Sequence, residues 1–344
     1  MGSSSPRSPW SPVEIVCHAC AAVTTQLDPE AQALLDVMRA VGTPQPYTLP
    51  IAEARESTRA AFVTKGDPIP LHSVRDVSVP TPHGSLALRT YRPAEGTLPL
   101  ALFLHGGGWI LNDLDTHDRL CRRIARRSGW LLASLDYRRA PEHKHPAALE
   151  DAQLAYRWLL DNAGAIGGDP SCVALVGESS GATTVACLTL LLRDLGAPLP
   201  IYQILAYPVT DRYGRWPSYQ ERGTGYVLDL EFARWSMENS VAGDQDMDDP
   251  YLLPLTASDL SGLPPTLIVT AEFDPLRDEG IAYARKLKDA GVAVDHIHAE
   301  DQMHGFLLLD RAIAKAGTLI DRLADALSAQ ALTATPEEAA SASS

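Results

Sequence analysis

Residues 173–181 read Val-Ala-Leu-Val-Gly-Glu-Ser-Ser-Gly, and this stretch decides how the rest of the chain is interpreted. The short apolar run Val173–Val176 predicts a buried strand, and the residues after Gly181 follow a helical period. Between them lies a Gly-x-Ser-x-Gly pattern, which at a strand-to-helix turn is typical of a nucleophile elbow presenting Ser179. The alternative is a glycine-rich turn in which Ser179 only caps the following helix.

Outward from this turn, short apolar runs alternate with amphipathic helical segments. A hairpin is predicted around residues 82–84, followed by strands at Leu98–Leu104, Leu131–Leu135, Val173–Val176, Ile201–Leu205, Thr266–Thr270 and Val292–Ile297. Helices are predicted near His117–Arg127, Ala147–Asn162, Ala182–Leu195, Asp278–Ala290 and Ala312–Leu327. The alternation predicts an α/β fold, a mostly parallel eight-stranded sheet flanked by helices.

Composition and charge exclude several classes of function. The 344 residues are 45% hydrophobic and 21% charged, which is typical of a globular protein. A net charge of −14 disfavours nucleic acid and anionic membranes as partners. Five cysteines, an odd and sparse set, indicate a reducing compartment, and no apolar run is long enough to span a bilayer. We therefore predict a cytoplasmic protein with no membrane span.

A run of glycines, His105-Gly106-Gly107-Gly108-Trp109, directly follows the strand Leu98–Leu104. Three consecutive glycines cost backbone entropy, so this loop is expected to bring its backbone close to a ligand. The N–H groups of Gly106 and Gly107, together with that of Ser180, are candidates for an oxyanion hole. A plain flexible loop is the alternative, whereas a phosphate-binding loop is disfavoured because no Gly-Lys-Ser/Thr follows.

Serine chemistry also needs a base and an acid downstream of the serine. Asp274 follows the predicted strand Thr266–Thr270 and is the first candidate for the acid, with Glu272 as the second. Asp278 is expected to cap the next helix. His304, beside Gly305 in the loop after the last strand, is the candidate base, while the remaining histidines nearby, His296 and His298, suit a packed or surface role.

Together these motifs resemble the hormone-sensitive-lipase-like esterases of the α/β-hydrolase superfamily. The resemblance covers residues 98–306 and rests on His105–Trp109, Gly177–Gly181 and the segments 136–143, 146–151, 274–280 and 304–306. It implies that Ser179, Asp274 and His304 are the catalytic triad and that the oxyanion donors are Gly106, Gly107 and Ser180. The chain departs from the usual elbow Gly-Asp-Ser-Ala-Gly at Glu178 and Ser180, and Ala182 stands where a further glycine is common.

The resemblance also implies a helical cap. Residues 1–68 are predicted to hold two proline-separated helices before any strand, and the aromatic-rich insertion 211–255 has no strand run. We expect both to cover the crevice at the carboxyl ends of the strands, with residues 69–210 and 256–330 forming the catalytic α/β-hydrolase domain. Residues 1–12 and 331–344 have compositions that predict disorder.

The predicted function is a serine carboxylesterase that hydrolyses short-chain acyl esters without a cofactor. Trp109, Gly108 and Tyr207 are expected to bind the substrate, a small-molecule ester. An amidase, a lactone or drug-ester hydrolase, a dehydratase on the same scaffold and a non-catalytic receptor remain alternatives. No metal is predicted, because Cys17 and Cys20 lack a second zinc-binding pair. Dimerisation is known among proteins of this kind, so a homodimer is one expected partner state. The resemblance implies that Glu142 supports the structure near the site, and the alternative is a packing or salt-bridge role.

Overall fold

A computed structural model describes residues 26–63 and 66–334. Its described residues form one eight-stranded sheet in the order β1-β2-β4-β3-β5-β6-β7-β8. The strands are β1 Ser73–Thr81, β2 Gly84–Arg92, β3 Leu98–Leu104, β4 Leu131–Asp136, β5 Gly168–Glu178, β6 Tyr202–Ala206, β7 Thr266–Phe273 and β8 Val294–Met303. β2 pairs antiparallel with β1 and β4, and the remaining pairs are parallel. The predicted fold class is confirmed.

Helices cover both faces of the sheet. They are α1 Pro29–Ala40, α2 Ile51–Phe62, α3 Asp118–Ser128, α4 Ala147–Ile166, α5 Ser180–Asp194, α6 Pro217–Glu221, α7 Leu230–Ser240, α8 Arg277–Asp289 and α9 Ala314–Ala334. Buried side chains of α4, α5 and α8 pack on one face, and those of α3 and α9 pack on the other. Because the central strands are covered on both sides, β3 is buried continuously from Leu100 to Leu104.

Several element boundaries differ from the sequence-based expectation. β5 begins at Gly168 rather than Val173, and β7 continues to Phe273 rather than Thr270. β8 continues to Met303, well past Ile297, because an edge strand keeps one side open to water and tolerates polar residues there. α9 continues to Ala334, so the start of the segment predicted to be disordered, residues 331–334, is helical. The predicted disorder of residues 1–12 and the pair Cys17 and Cys20 lie outside the described residues.

The segments expected to form the cap contact each other above the sheet. The hydroxyl of Tyr47 donates to Asp229 Oδ2 at 2.9 Å, and Arg39 Nη2 donates to the carbonyl of Gly225 at 2.9 Å. A small apolar cluster joins Ala54 of α2 to Phe232 of α7. None of the helices in the described part of the chain combines the length and apolar character needed to cross a bilayer.

Candidate active site

Ser179 occupies a strained turn between β5 and α5. Its backbone has φ 52° and ψ −129°, in the left-handed half of conformational space that non-glycine residues rarely adopt. A Cβ on Gly181 would lie 2.1 Å from the carbonyl oxygen of Leu104, so only glycine lets the turn pass this close to β3. The side chain of Ser179 makes no helix-capping hydrogen bond. The alternative in which Ser179 serves as a helix cap is therefore wrong.

A continuous hydrogen-bonded chain leads from Ser179 to a buried carboxylate. His304 Nε2 lies 2.9 Å from Ser179 Oγ, and His304 Nδ1 lies 2.7 Å from Asp274 Oδ2. Asp274 Oδ1 accepts a hydrogen bond from the N–H of Leu276 at 2.8 Å, which fixes the carboxylate. The three residues follow β5, β7 and β8, whose carboxyl ends meet at the same edge of the sheet.

The electrostatics of His304 favour its protonated form. Burial alone opposes a charged imidazole, but the nearby carboxylate of Asp274 and, more weakly, that of Glu178 outweigh it. The pKa of His304 therefore lies above its ordinary value of 6.5. The ring of Tyr207 packs against the imidazole with 4.7 Å between ring centroids, which restricts the orientation of the base.

The other acidic candidates have different partners. Glu272 contacts Arg222 and Arg277 at 2.7 and 2.9 Å and also His298, so it does not reach His304. Asp278 does not cap α8, because that helix begins at Arg277 and its preceding residue is Leu276. Instead Asp278 Oδ2 accepts the N–H of Ser218, which joins α8 to the insertion. The expectation that Asp278 is a helix cap is corrected accordingly.

The glycine loop differs from the sequence-based expectation at Gly106. Its N–H donates to Glu178 Oε1 at 2.9 Å, so it is not available to a substrate oxygen. Gly107 and Gly108, with φ of 109° and 62°, line the cavity beside Ser179. Within the described part of the chain, no acceptor satisfies the N–H groups of Gly107, Gly108 or Ser180. The available donors are therefore shifted by one glycine from Gly106 and Gly107 to Gly107 and Gly108.

Two chambers meet at Ser179. The larger, about 120 Å³, is lined by His304 and by Phe62, Leu111 and Leu308 among others. The smaller, about 20 Å³, is lined by Trp109, Val209, Tyr213, Tyr219, Met237 and Leu276 among others, but not by His304. Gly108, Ser179, Leu228 and Phe232 line both chambers. Leu228 and Phe232 come from the insertion. Sequence reasoning did not identify them as site residues, and the signal that could have found them was the aromatic-rich stretch without a strand run.

The three residues predicted to bind substrate lie in different places relative to the two chambers. Gly108 lines both chambers, and a Cβ there would lie 2.7 Å from Ser236 Cβ. Trp109 lines the smaller chamber, but it is largely buried and its Nε1 donates to Thr184 Oγ1 at 3.1 Å. Tyr207 is fully covered behind His304 and lines neither chamber. Its predicted contact with substrate is therefore corrected to a contact with the imidazole.

Other predicted features have structural roles. Glu142 forms a salt bridge with Arg55 of α2 at 2.7 Å, and the same guanidinium donates to the carbonyl oxygens of Ile110 and Ala140. The salt-bridge interpretation of Glu142 thus holds, and it ties α2 to the loop after the glycines. Across the residues that the structure describes, no group of three or more His, Cys, Asp or Glu side chains is arranged to hold a metal ion.

Similarity to known proteins places the chain in a family. Residues 101–308 match the α/β-hydrolase fold family, and the chain belongs to it. The carboxylic ester hydrolase LipN of Mycobacterium tuberculosis is 42% identical over 292 residues, covering 82% of this chain and 77% of LipN. Ethyl acetate hydrolase of Pseudomonas putida is 36% identical, covering 88% of this chain and 98% of that protein.

Solved structures agree with this placement. The esterase of the archaeon Pyrobaculum calidifontis has a TM-score of 0.85 and 35% identity, and the match covers 89% of this chain and 99% of that one. The predicted membership of the hormone-sensitive-lipase-like esterases is confirmed, and so is the predicted enzyme class, a carboxylic ester hydrolase.

Proposed function

We propose that this ester hydrolase is a serine carboxylesterase that cleaves short-chain acyl esters through an acyl-enzyme. The observation that carries the proposal is the hydrogen-bonded chain from Ser179 through His304 to Asp274. An imidazole between a hydroxyl and a carboxylate can take the hydroxyl proton while the carboxylate stabilises the resulting imidazolium. No cofactor enters this chemistry.

In the proposed reaction, Ser179 Oγ attacks the ester carbonyl carbon while His304 Nε2 takes the serine proton. The carbonyl oxygen becomes an oxyanion that the N–H groups of Gly107, Gly108 and Ser180 are available to bind. His304 then gives its proton to the leaving alkoxide, and the alcohol departs. A water molecule, deprotonated by His304, attacks the acyl-enzyme and releases the acid and free Ser179.

The two chambers support a preference for short acyl chains. The leaving alcohol must lie next to the imidazole that protonates it, so the larger chamber, which His304 lines, receives the alcohol. The smaller chamber then receives the acyl group. About 20 Å³ is little more than the space that one water molecule occupies, roughly 10–15 Å³ on the same measure, so only a small acyl group fits without rearrangement.

The proposal also includes the division of the chain into a cap and a catalytic domain. Residues 1–68 and 211–255 are proposed to form the cap over a catalytic domain of residues 69–210 and 256–330, supported by the contacts of Tyr47 with Asp229 and of Arg39 with Gly225. Small-molecule esters are the proposed partners. The cytoplasmic location and the homodimer stay predictions.

Replacement of the nucleophile tests the proposal. Ser179→Ala should lower kcat/KM for p-nitrophenyl acetate by ~10⁴-fold or more while the thermal unfolding midpoint stays near that of the wild type. Ser171→Ala, on the exposed part of β5, is the matched control and should keep full activity. An organophosphate should label the peptide that contains residue 179 in the wild type and the control only. Comparable turnover by Ser179→Ala would refute the mechanism.

A substrate series tests the preference. Rates with p-nitrophenyl esters should be highest for acetate and propionate and fall as the acyl chain lengthens. The corresponding p-nitroanilides should react far more slowly, which separates an esterase from an amidase on the same site. A rate that rose steadily to long acyl chains would contradict the assignment of the smaller chamber to the acyl group.

A further inference from the structure

Glu178 is a buried carboxylate at the site that the proposed reaction does not use. It ends β5 directly before Ser179, and its side chain is 4% exposed. One oxygen, Oε1, accepts the N–H of Gly106 at 2.9 Å and lies 2.9 Å from His117 Nε2. The single oxygen thus joins the elbow, the glycine loop after β3 and the residue that precedes α3. The elbow and the glycine loop both line the larger chamber at Ser179.

His117 is the second partner of Glu178. Its imidazole is fully buried, and its Nε2 lies 2.9 Å from Glu178 Oε1. A carboxylate only accepts hydrogen bonds, so Nε2 carries a proton and donates it to this contact. On its other side, Nδ1 lies 3.0 Å from Thr116 Oγ1, and that hydroxyl donates to the carbonyl of Asp113 at 2.8 Å. The imidazole is therefore held on both sides, and it holds the carboxylate in turn.

The contact with Gly106 leaves almost no freedom. A Cβ on Gly106 would lie 2.1 Å from Glu178 Oε1, so the carboxylate sits against the backbone at the first glycine of the loop. Gly107 and Gly108 follow immediately and line the cavity at Ser179. The N–H of Gly106 thus donates a charge-assisted hydrogen bond to a fixed carboxylate. This bond sets the position at which the loop leaves β3, and therefore the positions of the N–H groups of Gly107 and Gly108.

Several titratable groups face Glu178. They are His117 from the segment before α3, His304 from the loop after β8, Tyr207 after β6 and Tyr137 after β4. Burial opposes ionisation of Glu178, but the hydrogen bond from His117 and the charges of His117 and His304 outweigh it, and the pKa of Glu178 lies below its usual value. In return, the charge of Glu178 adds to that of Asp274 in raising the pKa of His304.

We propose that Glu178, held by His117, is a positioning residue of this esterase: it anchors the oxyanion loop through Gly106 and places a second buried carboxylate at the site. The inference rests on the proposed function. A buried carboxylate–imidazole pair is not in itself evidence of stability, so the pair is assigned to the geometry and charge of the site.

Glu178→Gln separates charge from shape. Glutamine keeps an oxygen for the N–H of Gly106 but removes the negative charge. We expect kcat to fall by ~10-fold or more with KM for p-nitrophenyl acetate little changed. The acidic limb of the kcat/KM profile should move to lower pH by roughly half a unit or more, because one of the charges that favour protonated His304 is gone. Glu178→Asp keeps the charge, so its acidic limb should stay at the wild-type pH.

Glu272→Gln is the matched control, since Glu272 is a partly buried carboxylate whose partners lie away from the site. It should keep the wild-type acidic limb. If Glu178→Gln does not fold, Gly106→Ala breaks the same contact from the other side, because its Cβ needs the space of Oε1. It should lower kcat by a similar factor.

The outcomes separate this inference from the proposed function. Wild-type kcat and an unmoved acidic limb in Glu178→Gln would overturn the inference, and so would a loss of kcat with an unmoved limb, which a merely structural role would produce. In either case, inactivity and lack of labelling of Ser179→Ala would leave the serine mechanism standing. If Ser179→Ala retained full activity, the proposed function would fail first.

Discussion

Two buried carboxylate–imidazole pairs lie side by side in this enzyme, and they are built in opposite order. In one, His304 stands between Asp274 and Ser179, at 2.7 and 2.9 Å. In the other, Glu178 stands between His117 and the N–H of Gly106, at 2.9 Å from each. The same two chemical groups therefore have different third partners, a hydroxyl in the first pair and a backbone amide in the second.

The order of the groups decides what each pair can do. An imidazole in the middle can take a proton at one nitrogen while the other is held, so the first pair is suited to proton transfer. A carboxylate in the middle only accepts hydrogen bonds, so the second pair is suited to holding backbone in place. Burial and distance alone do not distinguish the two pairs, and the outer contacts do.

The largest effect is expected where the carboxylate orients the catalytic imidazole. Asp274→Asn should lower kcat by ~10⁴-fold, because an amide can donate to Nδ1 and favour the wrong tautomer. Glu272 lies near the end of β7, shortly before Asp274, but contacts Arg222 and Arg277 instead of His304. Glu272→Gln should therefore change kcat by less than ~3-fold. Steady-state kinetics with p-nitrophenyl acetate measure both. Equal losses in the two variants would show that Asp274 has no special part in orienting His304.

The pH dependence should report the titration of His304, and the carboxylates of both pairs set its position. The reaction needs neutral His304, whose pKa is raised above 6.5 by the carboxylates of Asp274 and Glu178, which outweigh its burial. As the pH falls below that raised pKa, kcat/KM should drop ~10-fold per unit. The buried His105 stays neutral there, since burial and the charge of His117 lower its pKa to about 3. A pH–rate profile with an acidic limb centred below 6.5 would contradict this account.

The smallest effect is expected at Thr116, which contacts the imidazole of His117 on the side away from Glu178. Thr116→Val removes the hydroxyl that contacts His117 Nδ1 and accepts the N–H of Asp113, and so leaves buried polar groups unsatisfied. The free energy of unfolding should fall by about 1–3 kcal/mol, with kcat reduced only a few-fold. Thr81→Val, at the end of β1, is the control: its hydroxyl makes only exposed hydrogen bonds, which water replaces, so both quantities should change little. Urea unfolding measures the free energy of unfolding. A ~10⁴-fold loss of kcat in Thr116→Val would show that the second pair takes part in proton transfer, contrary to the assignment made here.

Much of this arrangement could be predicted from the sequence. Hydrophobic period distinguishes strand from helix over a few residues, so the positions of β3 to β7 and of most helices follow from local pattern. The strand-to-helix turn at Ser179 and the loops carrying Asp274 and His304 can be identified because each lies after a short apolar run. In parallel sheets such loops meet at one edge.

The tertiary structure alone decided the contacts between residues far apart in the chain. Glu178 and Gly106 are 72 positions apart and meet because β5 pairs with β3, a neighbour relation that local pattern does not contain. That contact removes Gly106 from the available oxyanion donors. The ring of Tyr207 packs against His304 and therefore does not face the substrate. The sequence by itself determined which groups are present and on which elements they lie. Which N–H group stays free and which carboxylate holds an imidazole depend on side-chain packing across neighbouring strands, and only the folded chain settles that.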